Sequence, residues 1–164
     1  MALKYPEDIM ISIGDNAPQF TLSTNGGGQF SLAEAAGKYL VLYFYPKDDT
    51  PGCTKEAIGF SEERAAFEAQ NALVVGVSRD TVQKHDKFIS KHDLRIPLIS
   101  DEDGRLCEAF GTWVEKNMYG KTYMGIERAT FLISPEGDVL KIWRKVKVPG
   151  HVEEVLSQIQ TLNS

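Results

Sequence analysis

Cysteine is scarce in this sequence, with only Cys53 and Cys107 among 164 residues. Two thiols with no C-x-x-C between them make neither a disulfide framework nor a dithiol exchanger of the thioredoxin kind, and they suit a reducing compartment. Long apolar runs are also missing: nothing approaches the roughly 20 residues that span a bilayer. The opening "MALKYPEDIMISIGD" carries acidic residues and no secretory h-region. Positive charge is in deficit, 18 Lys and Arg against 23 Asp and Glu for a net −5, which disfavours a nucleic-acid partner. No repeat, charge block or Pro/Ser-rich linker divides the chain. These absences leave one domain, 1–164, of ordinary composition and long enough to bury a single core. A cytoplasmic location is expected, with neither membrane nor nucleic acid as partner.

Periodicity then supplies the elements. "FTLS" and "QFSL" flank the triple glycine of "NGGG" and read as an N-terminal β-hairpin. "YLVLYFY", Tyr39 to Tyr45, is continuously apolar and aromatic, the pattern of a strand buried on both faces. One helix is expected from Pro51 to Asn71, with Ala57, Phe60, Arg64 and Phe67 on one side. "ALVVGVS" is a second buried strand, "TVQKHDKFISKHDL" a helix, "IPLIS" a short strand and "GRLCEAF" a helix. "ATFLIS" and "VLKIWRKV" flank "PEGD" as a hairpin, and "HVEEVLSQIQTL", opened by His151, is a closing helix. Between them "GTWVEKNMYGKTYMG", with Trp113 and Tyr119, reads as a loop packed on the body, with a pocket wall or an oligomer contact as its other uses. Strands alternating with helices, then an antiparallel pair and a helix, make an α/β protein: a thioredoxin-like fold with a mixed central sheet flanked by helices.

Cys53 sits at the seam between the most apolar strand and the helix that follows it. Pro51 is suited to the first helical position, which makes Thr50 the N-cap and Cys53 the third helical residue. The Thr50 hydroxyl is then expected to accept the Cys53 backbone N–H. The sulfur lies among unsatisfied N–H donors at the positive end of the helix dipole, which favours thiolate over thiol. Gly52 leaves space beside the sulfur for a small substrate. Asp48 and Asp49 work against this activation, so a reactive thiol here requires a compensating cation.

The spacing Pro46-x-x-x-Thr50-x-x-Cys53 matches the peroxidatic signature of the peroxiredoxins, and "YFYPKDDTPGCTKEA" resembles the peroxiredoxin Q branch, also called bacterioferritin comigratory protein. The likeness continues through "FSLAEAAGKYLVLYFYP", "VVGVSRD", "PLISDEDG" and "GIERATFLIS". It implies a thiol-dependent peroxidase that reduces hydrogen peroxide and organic hydroperoxides through a cysteine sulfenic acid, with no metal, haem or flavin. Carried onto this chain, Cys53 is the nucleophile, Pro46 shields the pocket and Thr50 hydrogen-bonds sulfur and peroxide. Arg128 is the cation, and Glu56 orients it.

Two departures bear on the reductant. Many relatives place a resolving cysteine five residues after the first, where this chain has Ile58. Helical residues five apart are rotated by roughly 140° and more than about 7 Å apart, so that disulfide needs local unwinding. Others place it in the next helix, around "KFISKHD", which has no cysteine. Cys107, beside Leu106 and Phe110, reads as a packing residue. A one-cysteine enzyme is therefore expected, reduced by an external thiol such as thioredoxin, glutaredoxin or glutathione, and present as a monomer or weak homodimer. The alternatives are a peroxide sensor that relays oxidation to a partner, which would not sustain turnover, and a holdase, which would survive Cys53→Ser. His85 and His92, seven apart with Asp86 and Asp93 beside them, suggest solvated polar positions more than a metal face.

Overall fold

A computed structural model describes residues 11–164, so most of the opening "MALKYPEDIMISIGD" lies outside the described residues. Strands β1 (Thr21–Ser23) and β2 (Gln29–Ser31) pair antiparallel as the expected hairpin. Its glycine turn adopts positive φ at Gly26 and Gly27. The turn is docked as well: Asn25 Oδ1 accepts the Leu98 N–H and the Gly26 N–H donates to Asp86 Oδ1.

The central sheet has five strands: β3 (Tyr39–Phe44), β4 (Ala72–Ser78), β5 (Leu98–Ser100), β8 (Ala129–Ile133) and β9 (Val139–Trp143). Their order is β5-β4-β3-β8-β9, parallel from β3 through β4 to β5 and antiparallel at β8 and β9. β3 is buried along nearly its whole length because its alternate residues enter two separate cores. Leu40, Leu42 and Phe44 join a cluster with Phe110, Phe131 and Cys107. Val41, Tyr43 and Tyr45 join one with Phe60, Phe88, Val155 and Cys53. A strand needed by both cores has no polar face, which explains its uninterrupted apolar sequence.

The single helix expected from Pro51 to Asn71 is two, α1 (Pro51–Glu62) and α2 (Arg64–Ala69), divided at Glu63. An unbroken helix would align Arg64 with Ala57, Phe60 and Phe67. The break lets Arg64 face water and pair with Glu68 at 2.9 Å, while Phe67 stays fully buried. Helix α3 (Val82–His92) is capped by the Thr81 hydroxyl, which accepts the Lys84 N–H, and ends at Asp93 in the left-handed region. Helices α4 (Arg105–Ala109) and α5 (His151–Asn163) fall where the pattern put them.

The stretch expected as a loop is instead a hairpin of β6 (Trp113–Met118) and β7 (Lys121–Ile126). Tyr119 and Gly120 both take positive φ, 53° and 80°, which is how a two-residue turn matches strand twist. Trp113 and Ile126 at its base join the core of Phe110 and Phe131, but most side chains beyond them are exposed, so it carries no alternation of polar and apolar residues. Among the described residues, no helix is long and apolar enough to cross a membrane.

Candidate active site

Cys53 is the third residue of α1, behind Pro51 and Gly52, with Thr50 as an extended N-cap. Its side chain is 1% exposed and belongs to the core between the sheet and α1. Arg128 arrives from the short link between β7 and β8, its carbonyl pinned by the Val146 N–H at 3.0 Å. One guanidinium nitrogen, Nη2, donates to Cys53 Sγ at 3.4 Å, and Nη1 donates to Glu56 Oε1 at 2.7 Å. Glu56 lies three residues beyond the cysteine on the same helix and is fully buried. Cys53, Arg128 and Glu56 thus form one bonded chain, linking residues the sequence could connect only through resemblance.

The electrostatics follow from burial. Glu56 is pushed up to about 7 by desolvation, against the opposing pull of Arg128, and its Oε2 has no hydrogen-bond partner. Burial works against the Arg128 charge, but Glu56 and Cys53 outweigh it and raise that guanidinium above its usual value. A cation held this way, with its donors already aimed at sulfur, is prepared to stabilise negative charge there.

Thr50 departs from expectation. Its hydroxyl donates to the Lys47 carbonyl at 2.8 Å and makes no side-chain cap with the helix. Gly52 also serves differently: a Cβ there would come within 3.1 Å of Arg128 Nη2 and 4.0 Å of Val148 Cγ2. The space it leaves beside the sulfur is the guanidinium's seat. Pro46 is half-buried at the start of the same loop, ahead of Thr50.

Asp48 and Asp49, the carboxylates that oppose a thiolate, are occupied elsewhere. Asp48 Oδ1 accepts the Tyr45 hydroxyl at 2.6 Å, Oδ2 faces His85 Nδ1 at 2.7 Å, and the Asp48 N–H donates to Asp80 Oδ2. His85 Nε2 meets the Ile99 carbonyl at 2.9 Å, and because a carbonyl only accepts, that nitrogen carries hydrogen. His85 is therefore a buried anchor between α3 and the Cys53 loop, contrary to the solvated role expected from sequence. Its spacing from Phe88 on the apolar stripe was the available signal. Asp48, Asp80 and His85 converge closely enough to suggest a metal, but their hydrogen bonds to one another, to Tyr45 and to Ser78 account for the cluster. Asp49 bonds His92 and Lys91 at 2.9 and 2.8 Å, and these partners hold its carboxyl below the usual range. Helix α3 thus grips the loop at both of its ends.

Cys107 sits across the sheet from Cys53, in the other core. Burial, reinforced by Asp101, pushes its thiol well up, away from thiolate. Ile58 packs partly buried against the Cys53 core.

A thiol at a helix N-terminus, bonded by an arginine that a buried glutamate holds, is the arrangement on which relatives can be compared. The sequence profile of the AhpC/TSA family matches residues 13–142. Peroxiredoxin Bcp of Xanthomonas campestris is 52% identical over 139 residues, covering 85% of this chain and 87% of the relative. That of Bacillus subtilis is 48% identical over 153 residues, covering 93% and 98%. The chain belongs to the peroxiredoxins of the AhpC/TSA family. Within them it falls in the Bcp/PrxQ branch. A cysteine-to-serine mutant of Xylella fastidiosa PrxQ superposes with a TM-score of 0.90 at 44% identity, covering 94% of this peroxiredoxin and 98% of that one. A trapped intermediate/ligand complex of Xanthomonas campestris bacterioferritin comigratory protein, studied for alkyl peroxide reduction, gives 0.84 at 50% identity, covering 88% and 92%. This peroxiredoxin is a thiol-dependent peroxidase with a thioredoxin-like fold, acting on peroxides at the expense of a thiol reductant.

Proposed function

We propose that Cys53 is the peroxidatic nucleophile and that its oxidised form is returned by a thiol from outside the chain. The observation that carries this reading is the Arg128 Nη2 to Cys53 Sγ hydrogen bond at 3.4 Å. The thiolate attacks the terminal oxygen of a hydroperoxide, forming the S–O bond of a sulfenic acid as the O–O bond breaks. The electron pair leaves on the departing oxygen, which takes up a proton and is released as water or alcohol. Arg128 stabilises the thiolate and then the charge on the breaking bond. Glu56 fixes the guanidinium. Thr50, its proton committed to Lys47, keeps its oxygen lone pairs for the peroxide O–H, and Pro46 covers the loop side of the pocket.

An external thiol then attacks the sulfenic sulfur, expelling water and leaving a mixed disulfide, and a second thiol releases Cys53. Ile58 at the usual resolving position supports this one-cysteine route, as does Cys107 lying beyond the sheet. Thioredoxin, glutaredoxin and glutathione are the candidate reductants, with hydrogen peroxide and organic hydroperoxides as substrates. A single domain working in the cytoplasm as a monomer or weak homodimer is the setting that fits an acidic chain with two unpaired thiols.

Peroxide consumption tests the reading, with thioredoxin, glutaredoxin plus glutathione, and dithiothreitol compared as electron donors. Wild-type protein is expected to sustain turnover with at least one of them and Cys53→Ser with none. Turnover by Cys53→Ser would overturn the assignment. A single stoichiometric oxidation without turnover would instead support a relay.

A further inference from the structure

Arg128 is a single cation set between two groups that can each carry negative charge. Its Nη2 reaches Cys53 Sγ at 3.4 Å and its Nη1 reaches Glu56 Oε1 at 2.7 Å. Cys53 is 1% exposed and Glu56 is fully buried, so water screens neither. With both ionised, the trio would hold a net negative charge inside the core. Two like charges at one buried site do not both ionise cheaply, and one of them keeps its proton.

Glu56 is placed to be that group. Its Oε1 accepts from Arg128, while Oε2 is buried without a hydrogen-bond partner among the described residues. An ionised carboxylate leaves charge on an oxygen that no donor meets. A protonated one keeps Oε1 as the acceptor for Arg128 and makes Oε2 a neutral hydroxyl. Burial already holds the carboxyl at about 7 against the pull of Arg128, before any thiolate charge is added.

The other titratable groups around the trio are neutral, exposed or occupied. On β3, Tyr43 stacks at 4.6 Å on Phe60, one turn along α1 from Glu56, and burial raises its hydroxyl well above the usual value. Asp48, in the loop after β3, is bonded to Tyr45 and His85. From α5, His151 meets the edge of Phe60 and bonds Thr130, and burial lowers it to about 4, so it is uncharged. Lys55 and Glu62 on α1 itself are exposed. On the hairpin side stand Lys116, whose ammonium burial and Arg128 lower while Cys53 raises it, and Glu127, engaged by Arg144 at 3.7 Å. Among the described residues, Arg128 is the cation bonded to both anionic groups.

We propose that Cys53 and Glu56 hold a single negative charge between them across Arg128: Glu56 is a carboxylic acid while Cys53 is a thiolate, and it ionises when the sulfur is oxidised. The proposal rests on Cys53 as the nucleophile. Glu56 acts through Arg128 and does not touch the peroxide. The proton count closes over the cycle. The thiol gives up a proton as the carboxylate takes one. The thiolate then attacks the hydroperoxide, forming the S–O bond as the O–O bond breaks, and the departing oxygen takes a proton from water. Glu56 returns one to water, because a neutral sulfenic acid no longer competes for Arg128. Two external thiols restore the Cys53 thiol, and the pair resets.

Proton uptake during a single oxidation tests this, followed with an indicator dye at about pH 8, above the Glu56 value of about 7. Wild type is expected to take up about one proton fewer per sulfur oxidised than Glu56→Gln. Glutamine keeps the acceptor for Arg128 but has no proton to release, so a merely orienting role would leave the uptake unchanged. Infrared difference spectra at the same pH give a second reading with Glu56 unaltered. One equivalent of peroxide should abolish a protonated-carboxyl C=O band in wild type and leave the Cys53→Ser spectrum unchanged. Equal uptake in wild type and Glu56→Gln overturns the proposal, and so does oxidation with no carboxyl band lost. Peroxide turnover by Cys53→Ser would instead bring down the assignment of the nucleophile, so the two failures are told apart.

Discussion

At the residue scale, Arg128 is the cation that the proposed role of Cys53 requires beside two aspartates. Its two nitrogens divide between Sγ and Glu56, so its orientation is set before any peroxide arrives. Arg128→Met is expected to keep the fold and lose about 100- to 1000-fold in the stopped-flow rate with hydrogen peroxide, the usual cost of one preorganised donor. A loss below about threefold would mean the guanidinium does not act at the reacting oxygen. Glu56 carries a second consequence. Its pKa rises from 4.5 to about 7 on folding, so its stabilisation is complete below about pH 4.5 and is lost as pH climbs to about 7. In a Cys53→Ser background, which removes the thiolate, the protein with Glu56 should therefore lose stability across that window relative to Glu56→Gln, on the order of 3 kcal/mol in total, and stay level above it. Urea denaturation at several pH values measures this. Parallel curves for the two proteins would contradict it.

At the scale of elements, the loop from Pro46 to Thr50 is shaped from outside by α3. His85 meets Asp48 at 2.7 Å, and Lys91 and His92 meet Asp49 at the far end of the same helix. His85→Phe would leave a buried carboxylate short of a partner, and a loss of about 3 kcal/mol is expected by urea denaturation. Asp48→Asn added to it should recover part of that loss through coupling of the two sites. A single-variant loss under about 0.5 kcal/mol would show the pair to be incidental. This network was poorly legible in the sequence, because a histidine on a polar-looking helix gives no sign that its partner lies 37 residues away. The β6–β7 hairpin was missed for a related reason: both of its faces are largely exposed, so no alternation marked it. Legibility was high where one requirement dominated. The two-sided burial of β3 and the Thr50-Pro51 start of α1 fixed their elements directly. The break at Glu63 escaped because Arg64 fits a helical stripe in spacing but not in burial. Of the site itself, the place of Cys53 as third residue of α1 was readable from the Thr50-Pro51 start, although the expected Thr50 side-chain cap is not made, whereas Arg128 and Glu56 needed resemblance, since their meeting depends on tertiary structure.

At the scale of the whole molecule, the central sheet separates the two cysteines. β3 sends alternate side chains to opposite cores, and the two cysteines fall one in each. Joining them would require opening a core, so Cys107→Ser is expected to leave peroxide turnover unchanged within about twofold, the scale of a neutral substitution. The sulfenic acid at Cys53 should persist until an external thiol reaches it, and over-oxidation should set in readily when that thiol is scarce. The most direct measurement is mass spectrometry of the reduced protein after one equivalent of hydrogen peroxide in the presence of dimedone. The expected product is a single dimedone adduct on Cys53 with Cys107 still a free thiol. Rapid, quantitative formation of a Cys53–Cys107 disulfide would contradict it.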